Sequence, residues 1–207
     1  MSLELELACR EWVKLSGWSP ESKMMGLVAC VLTRKPMLCV DIGTYAGRTL
    51  LPVAWALKQN GSGVVYGIDP YSNDACTEGW PEGQDHSGWD KNPLKPYFDE
   101  AMSAVIKFGL LNHADIFRLR SADAVSRFDD GSIDLLHIDG NHSESSAMAD
   151  VTLYLPKMKP GGDLWMDDVG WESTQKAVAF LNEHCDLVKS YEDVVAGQPW
   201  FNHYRVR

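Results

Sequence analysis

Asp139, Asp167 and Asp168 are acids placed to act together. Asp139 follows the apolar run Leu135 to Ile138, and Asp167 and Asp168 follow Leu164 to Met166, so all three fall at predicted strand ends. Neighbouring strands lie about 5 Å apart, and carboxylates at their ends can converge on one point. Three crowded carboxylates repel one another unless a cation lies between them. Oxygen-only ligands suit Mg2+, or Mn2+ or Ca2+. No thiolate stands nearby to suggest a Cys-rich zinc site. His142 comes three residues after Asp139, and an imidazole titrating near neutral pH suits a general base. Blander roles stand beside these. Asp168, before Val169-Gly170, also suits a turn, and His142 also suits a helix start bonded to solvent or Glu144. His137, inside its strand, reads as a buried and satisfied histidine.

A second constellation precedes the first. Met37 to Val40 is apolar and leads into Asp41-Ile-Gly43-Thr-Tyr45-Ala-Gly47-Arg-Thr49. A buried strand feeding a glycine turn lets backbone approach a ligand, and the helix that follows aims free N–H groups at it. Asp69 ends the next strand, where an acid can accept hydrogen bonds from both hydroxyls of a ribose. The pyrophosphate-binding G-x-G-x-x-G spacing and the Walker A pattern are both missing. The turn therefore suits a nucleoside ligand without a pyrophosphate.

The elements that must position these residues alternate. Strands are predicted near 37–42, 63–69, 114–119, 133–139 and 163–167, with helices at 46–59, 97–108, 121–127, 142–155 and 172–184. A closing strand pair is predicted at 187–194 and 200–206. Such alternation gives a parallel sheet covered on both faces, with ligands outside the carboxyl ends of its strands. Two N-terminal helices occupy residues 1–34. The first carries Leu3, Leu7, Trp12 and Leu15 at helical spacing, and the second is capped by Ser19 with Pro20 in its first turn. Residues 71–96, with Trp80, His86 and Trp89 among glycines, prolines and acids, lack periodicity; the plain reading is a floppy surface insertion, and the two tryptophans favour a lid insertion.

The 207 residues suit one domain spanning 1–207. A net charge of −10 argues against a nucleic-acid or anionic-membrane partner and leaves a small-molecule substrate open. The acidic start, Met1-Ser-Leu-Glu-Leu-Glu-Leu, lacks the order of a signal peptide, and no segment is apolar for long enough to span a bilayer. Five cysteines without a Cys-x-x-Cys pair fit a reducing, cytoplasmic setting, with Cys30 and Cys39 packed as small hydrophobes.

Taken in order, Asp41-Ile-Gly-Thr-Tyr-Ala-Gly47, Asp69, Asp134-Leu-Leu-His-Ile-Asp-Gly-Asn-His142 and Lys159-Pro-Gly-Gly-Asp-Leu-Trp-Met-Asp-Asp168 resemble a class I S-adenosylmethionine-dependent methyltransferase. The resemblance covers roughly residues 37–168. Within that class it lies toward the metal-dependent macrocin and mycinamicin sugar O-methyltransferases. It implies an α/β, Rossmann-like, doubly wound and mostly parallel seven-stranded sheet with an antiparallel closing strand. It also implies S-adenosylmethionine as donor and Mg2+ (or Mn2+ or Ca2+) held by Asp139, Asp167 and Asp168. Asp168 stands where the catechol type has an amide, and His142 where it has a lysine base, as in the sugar enzymes. That favours a sugar or other aliphatic alcohol as the small-molecule acceptor, with His142 catalytic. The implied cofactor contacts are Asp41, Gly43, Tyr45 and Gly47 toward the methionine, Thr49 on its carboxylate, Asp69 on the ribose, Ser121, Ala122 and Asp123 around the adenine, and Asp139. Asp123 also suits a first-turn acid favoured by the helix dipole. Two other functions compete: a hydroxylase-like relative on the same fold, and a non-catalytic nucleoside-binding module. The first would need an iron triad of the His-x-Asp…His kind, which has no convincing register here, and the second has no use for the acids and His142. The N-terminal helices would serve as a roof or as the surface of a homodimer.

Overall fold

The computed structural model describes residues 2–81, 92–192 and 199–207. Helices α1 (Leu3–Trp12) and α2 (Glu21–Arg34) come first. Then follow β1 (Leu38–Ile42), α3 (Leu50–Asn60), β2 (Val64–Ile68), α4 (Asn73–Thr77), α5 (Lys95–Lys107), β3 (Ala114–Phe117) and α6 (Ser121–Ala124). The chain continues through β4 (Ile133–Ile138), α7 (Glu144–Tyr154), β5 (Met158–Met166), α8 (Gln175–His184), β6 (Cys185–Glu192) and β7 (Pro199–Val206). The sheet order is β3-β2-β1-β4-β5-β7-β6. β1 to β5 are parallel, and β7 runs antiparallel between β5 and β6. This is the expected Rossmann-like sheet with its antiparallel closing strand. Strand order reverses between β1 and β4, the place where such sheets open a crevice for ligands.

Helices cover both faces, so the central strands are apolar almost throughout. Cys39 and Leu135 pack into the layer beneath α1, α2, α3 and α5. Val40, Ile42, Leu136 and Ile138 enter the layer beneath α6, α7 and α8. All five cysteines are unpaired.

Local expectations shift for physical reasons. The buried face of α1 is Leu5, Ala8, Cys9 and Trp12, while Leu3 and Leu7 are exposed. Trp12 selects that face by packing edge-on against Trp55 of α3, 6.1 Å between centroids. Pro20, not Ser19, holds the N-cap position of α2, and Ser19 is buried. The helix expected from residue 46 starts at Leu50, because Tyr45 (φ 47°) and Gly47 (φ 89°) keep the chain in a turn. β5 starts at Met158 rather than residue 163, and a register shift against β4 between Ile133 and Leu135 accommodates Pro160-Gly161-Gly162. The stretch 71–96 contains α4 and the first two residues of α5. His86 and Trp89 of the expected lid lie outside the described residues.

Candidate active site

The carboxyl ends of β1, β2, β4 and β5 open into a cavity of about 480 Å3. That is within the range of small-molecule sites. Its two ends are built differently.

At the β1–β2 end, Asp69 lies on the cavity wall. Its Oδ2 accepts from the Tyr45 N–H at 2.9 Å and its Oδ1 from the Tyr71 N–H at 2.8 Å. Tyr71 Oη donates to the Tyr45 carbonyl at 2.8 Å, locking the two turns together. Tyr45 and Tyr71 both hold positive φ, a strained choice for non-glycine residues that clusters at functional sites. Burial pushes the Asp69 carboxyl up to about 6, against the pull of its two N–H donors. Gly43, at φ 83°, packs against the opposite strand: a Cβ there would stand 1.8 Å from the Asp139 carbonyl oxygen. The glycine therefore allows β1 and β4 to close beside the ligand, rather than clearing space for the ligand itself.

Several neighbours expected on the cofactor serve the scaffold instead. Asp41 is buried; Thr49 Oγ1 donates to it at 3.0 Å, and His137 Nδ1 lies 2.7 Å from its Oδ1. Thr49 also lines the cavity, with its hydroxyl bonded to Asp41. A Cβ on Gly47 would face Ala101 of α5 and Leu51 rather than the cavity. Arg48 donates to the Val13 carbonyl at 2.7 Å and to the Gly17 carbonyl, holding the Ser16–Ser19 loop along the cavity wall. Ser121 lines the cavity, whereas Ala122 and Asp123 are exposed and lie outside its lining. The acid on that wall is Asp150 of α7, which accepts from Ser121 Oγ. Burial pushes its carboxyl up to about 7.

At the β4–β5 end the acids converge. The Asp139 N–H donates to Ile42 O and the Asp167 N–H to Ile138 O, both at 2.9 Å, extending the ladder one step past each strand. Asp139, His142 and Asp168 bring ligand atoms within 4.8 Å of one another, and so do His137, Asp139 and Asp167. His142 Nε2 lies 2.9 Å from Asp168 Oδ2 and 3.5 Å from Asp139 Oδ1, in ion-pair rather than aligned hydrogen-bond geometry. Burial opposes a charge on His142, but these two carboxylates outweigh it and raise the imidazole to about 10. His142 precedes Ser143, the cap of α7, so it belongs to the loop and not to the helix. Trp171, half-exposed at the cavity mouth, meets its ring edge-on at 4.9 Å.

Lys23 of α2 supplies a cation that the motifs did not reveal. It is 1% exposed, and its Nζ contacts Asp167 Oδ2 and lies 3.3 Å from Asp139 Oδ2. Burial disfavours its charge, yet the two acids hold it protonated. Burial likewise works against the Asp139 charge, but Lys23 and His142 keep that carboxyl well below the usual range. Burial and the Asp139 charge push Asp167 upward, with Lys23 pulling against them. Asp167 Oδ1 is buried with no hydrogen-bond partner. A sequence signal existed for both missed residues. Lys23 shares the buried stripe of Met24, Leu27, Val28 and Val31, and Asp150 that of Ala147, Val151 and Tyr154. A charge on an apolar helical stripe needs a partner.

Residues 40–169 match the family described as methyltransferase domain. No curated protein matches the sequence. Solved structures share the fold at low identity. The O-methyltransferase TomG from Streptomyces achromogenes, in complex with SAM, is 16% identical with a TM-score of 0.65, over 100% of this chain and 90% of that one. An O-methyltransferase from Bacillus cereus, in complex with SAH, is 15% identical with a TM-score of 0.65, over 100% and 92%. The SAH-bound methyltransferase PaMTH1 from Podospora anserina is 13% identical with a TM-score of 0.68, over 100% and 89%. The family match spans more than half of the chain and contains both ends of the cavity, so the chain belongs to the methyltransferase-domain family and is a methyltransferase.

Proposed function

We propose that this methyltransferase moves a methyl group from S-adenosylmethionine to a hydroxyl of a small molecule, a sugar or other aliphatic alcohol, with Mg2+ (or Mn2+ or Ca2+) at the acid cluster. The observation that carries the reading is that a ribose-ready carboxylate, Asp69, and the cluster of Asp139, Asp167, Asp168 and His142 face one cavity. The SAM- and SAH-bound structures of the same fold support the choice of donor.

The acids fit a divalent ion. Three ionised carboxylates carry −3 against +2 from Lys23 and a protonated His142, leaving −1, or −2 once His142 is neutral, and Asp167 Oδ1 is a buried oxygen without a hydrogen-bond partner. Asp139, Asp167 and Asp168 would hold the ion, which when bound lowers the pKa of an acceptor hydroxyl. Asp69 fixes the ribose of the donor, and the β1 turn fixes its methionine side. The half-exposed Trp171 ring gives the C–H face of a sugar a flat wall beside Asp168 and His142. Holding acceptor oxygen and methyl in line removes a large part of the barrier, about 7–11 kcal/mol in well-oriented reactions. His142 Nε2 receives the hydroxyl proton, once the imidazole is neutral. The chain's acidity speaks for an acceptor that is neither nucleic acid nor membrane lipid, and no helix among the described residues is long and apolar enough to cross a membrane.

The test is chelation. EDTA stops methyl transfer to a sugar acceptor, and Mg2+ restores it. Asp139→Ala and Asp167→Ala lose that rescue while still binding S-adenosylhomocysteine. Full activity in EDTA overturns the metal, leaving Lys23 and His142 as the cluster's own counter-charges. Transfer to catechols but to no sugar overturns the acceptor class.

A further inference from the structure

We propose that Lys23 is a positioning residue for a divalent cation at this site: its buried ammonium holds one oxygen each of Asp139 and Asp167, so that the remaining oxygens are presented to the metal. The inference rests on the metal reading above.

Lys23 is the third residue of α2 and has essentially no solvent contact. A lysine so buried must be paired, and removing a partner of such a pair costs far more than a surface ion pair is worth. Its Nζ reaches Oδ2 of both acids and also lies 5.7 Å from the ring centroid of Phe201 in β7. The division of oxygens is specific. Asp139 Oδ1 is turned to the His142 side, and Asp167 Oδ1 has no partner. An ammonium has three donors and no lone pair, so Lys23 cannot ligate a metal and acts only through the carboxylates. Residues that orient metal ligands from behind in this way typically contribute about 10- to 100-fold to metal affinity.

A rival role is that of a plug tying α2 to the sheet. The two roles differ in sign. Removing a positive charge beside a cation site strengthens the site's attraction for metal, so a plug predicts unchanged or tighter binding. A positioning residue predicts weaker binding despite the added negative charge, because Asp167 loses the contact that fixes its rotamer.

Calorimetry with Mn2+ titrated into protein saturated with S-adenosylhomocysteine separates them. Lys23→Met should bind Mn2+ at least about tenfold more weakly than wild type, with S-adenosylhomocysteine affinity unchanged. Equal or tighter Mn2+ binding by Lys23→Met overturns the proposal and leaves the metal reading standing. Absence of Mn2+ binding to the wild type overturns the metal reading, and the role of Lys23 falls with it. If the methionine variant fails to hold S-adenosylhomocysteine, Lys23→Gln, which keeps a donor without the charge, is read in the same way: weaker Mn2+ binding supports the proposal, equal or tighter binding overturns it.

Discussion

At the β1–β2 end of the cavity Asp69 is held by two backbone N–H groups, whereas at the β4–β5 end Asp139 and Asp167 are held by the ammonium of Lys23, and Asp139 and Asp168 by His142. Backbone donors are part of the fold and do not titrate. Their geometry is fixed by the turns at Tyr45 and Tyr71, both at positive φ. The second end is a balance of charges, and any added cation or proton redistributes it. A rigid donor end and an electrostatically poised end suit a reaction in which the methyl donor is the same each time while a proton must leave the acceptor. The two ends should therefore fail differently: the first through the fold and donor binding, the second through catalytic rate.

The largest effect belongs to the rigid end. In Gly43→Val the new Cβ would stand 1.8 Å from the Asp139 carbonyl, at a φ of 83° that β-branched residues avoid. Backbone cannot step aside as a side-chain tip can, so β1 and β4 must separate. Destabilisation should reach at least about 4 kcal/mol. For a chain of this length that lowers Tm by roughly 10 °C or more. A thermal melt at the wild-type Tm would mean that the β1–β4 contact is loose, and the contrast between the two ends would disappear.

Legibility in the sequence follows the same division. The sheet and the strand-end acids were readable because period and position are local properties: apolar runs ending in Asp41, Asp69, Asp139 and Asp167 become strand ends at one edge. The partners of those acids were not. Thr49, on the cavity wall, bonds Asp41, which depends on the turn at Gly43–Arg48 delaying the start of α3. Lys23 meets Asp167 across 144 residues of sequence, and Asp150 meets Ser121 across 29. Such pairings arise from tertiary packing. Only the oddity of a charge on an apolar stripe signals them beforehand. Asp123 shows the converse: a residue type suited to adenine, beside Ser121, turns outward because the one-turn α6 points it to solvent.

His142 tests the poised end. A base acting on the acceptor hydroxyl contributes about 10²–10⁴-fold, so His142→Ala should lower kcat by that factor with cofactor affinity unchanged. The sign of the pH effect follows from its partners. Asp139 and Asp168 raise the imidazole to about 10, and only the neutral ring can take a proton. Rate should therefore climb with pH, and Mg2+, by engaging the same acids, should move that limb to lower pH. The alanine variant should lose the limb. A variant with wild-type kcat and an unchanged profile would make His142 a loop residue that happens to touch two acids.

The smallest effect sharpens the rigid end. In the proposed function Asp69 binds ribose hydroxyls as a carboxylate, and burial pushes its pKa up to about 6. Above that pH the group is ionised and affinity for S-adenosylhomocysteine should be flat. Below it each unit of pH should weaken binding about tenfold, because the proton must first be removed. Folding responds in the opposite direction. The native state binds this proton more tightly than the unfolded chain does, so the contribution of Asp69 to stability falls as pH rises through the window from about 4 to 6. In that window the free protein should gain stability from Asp69 on acidification, while its affinity for S-adenosylhomocysteine falls. Calorimetric titrations of S-adenosylhomocysteine from pH 7.5 to 5 read the first effect, and melts over the same range read the second. A dissociation constant that stays flat down to pH 5 would remove Asp69 from the ribose. Its two backbone hydrogen bonds would then mark it as a turn-forming acid, and the donor would have to be fixed by the β1 turn alone.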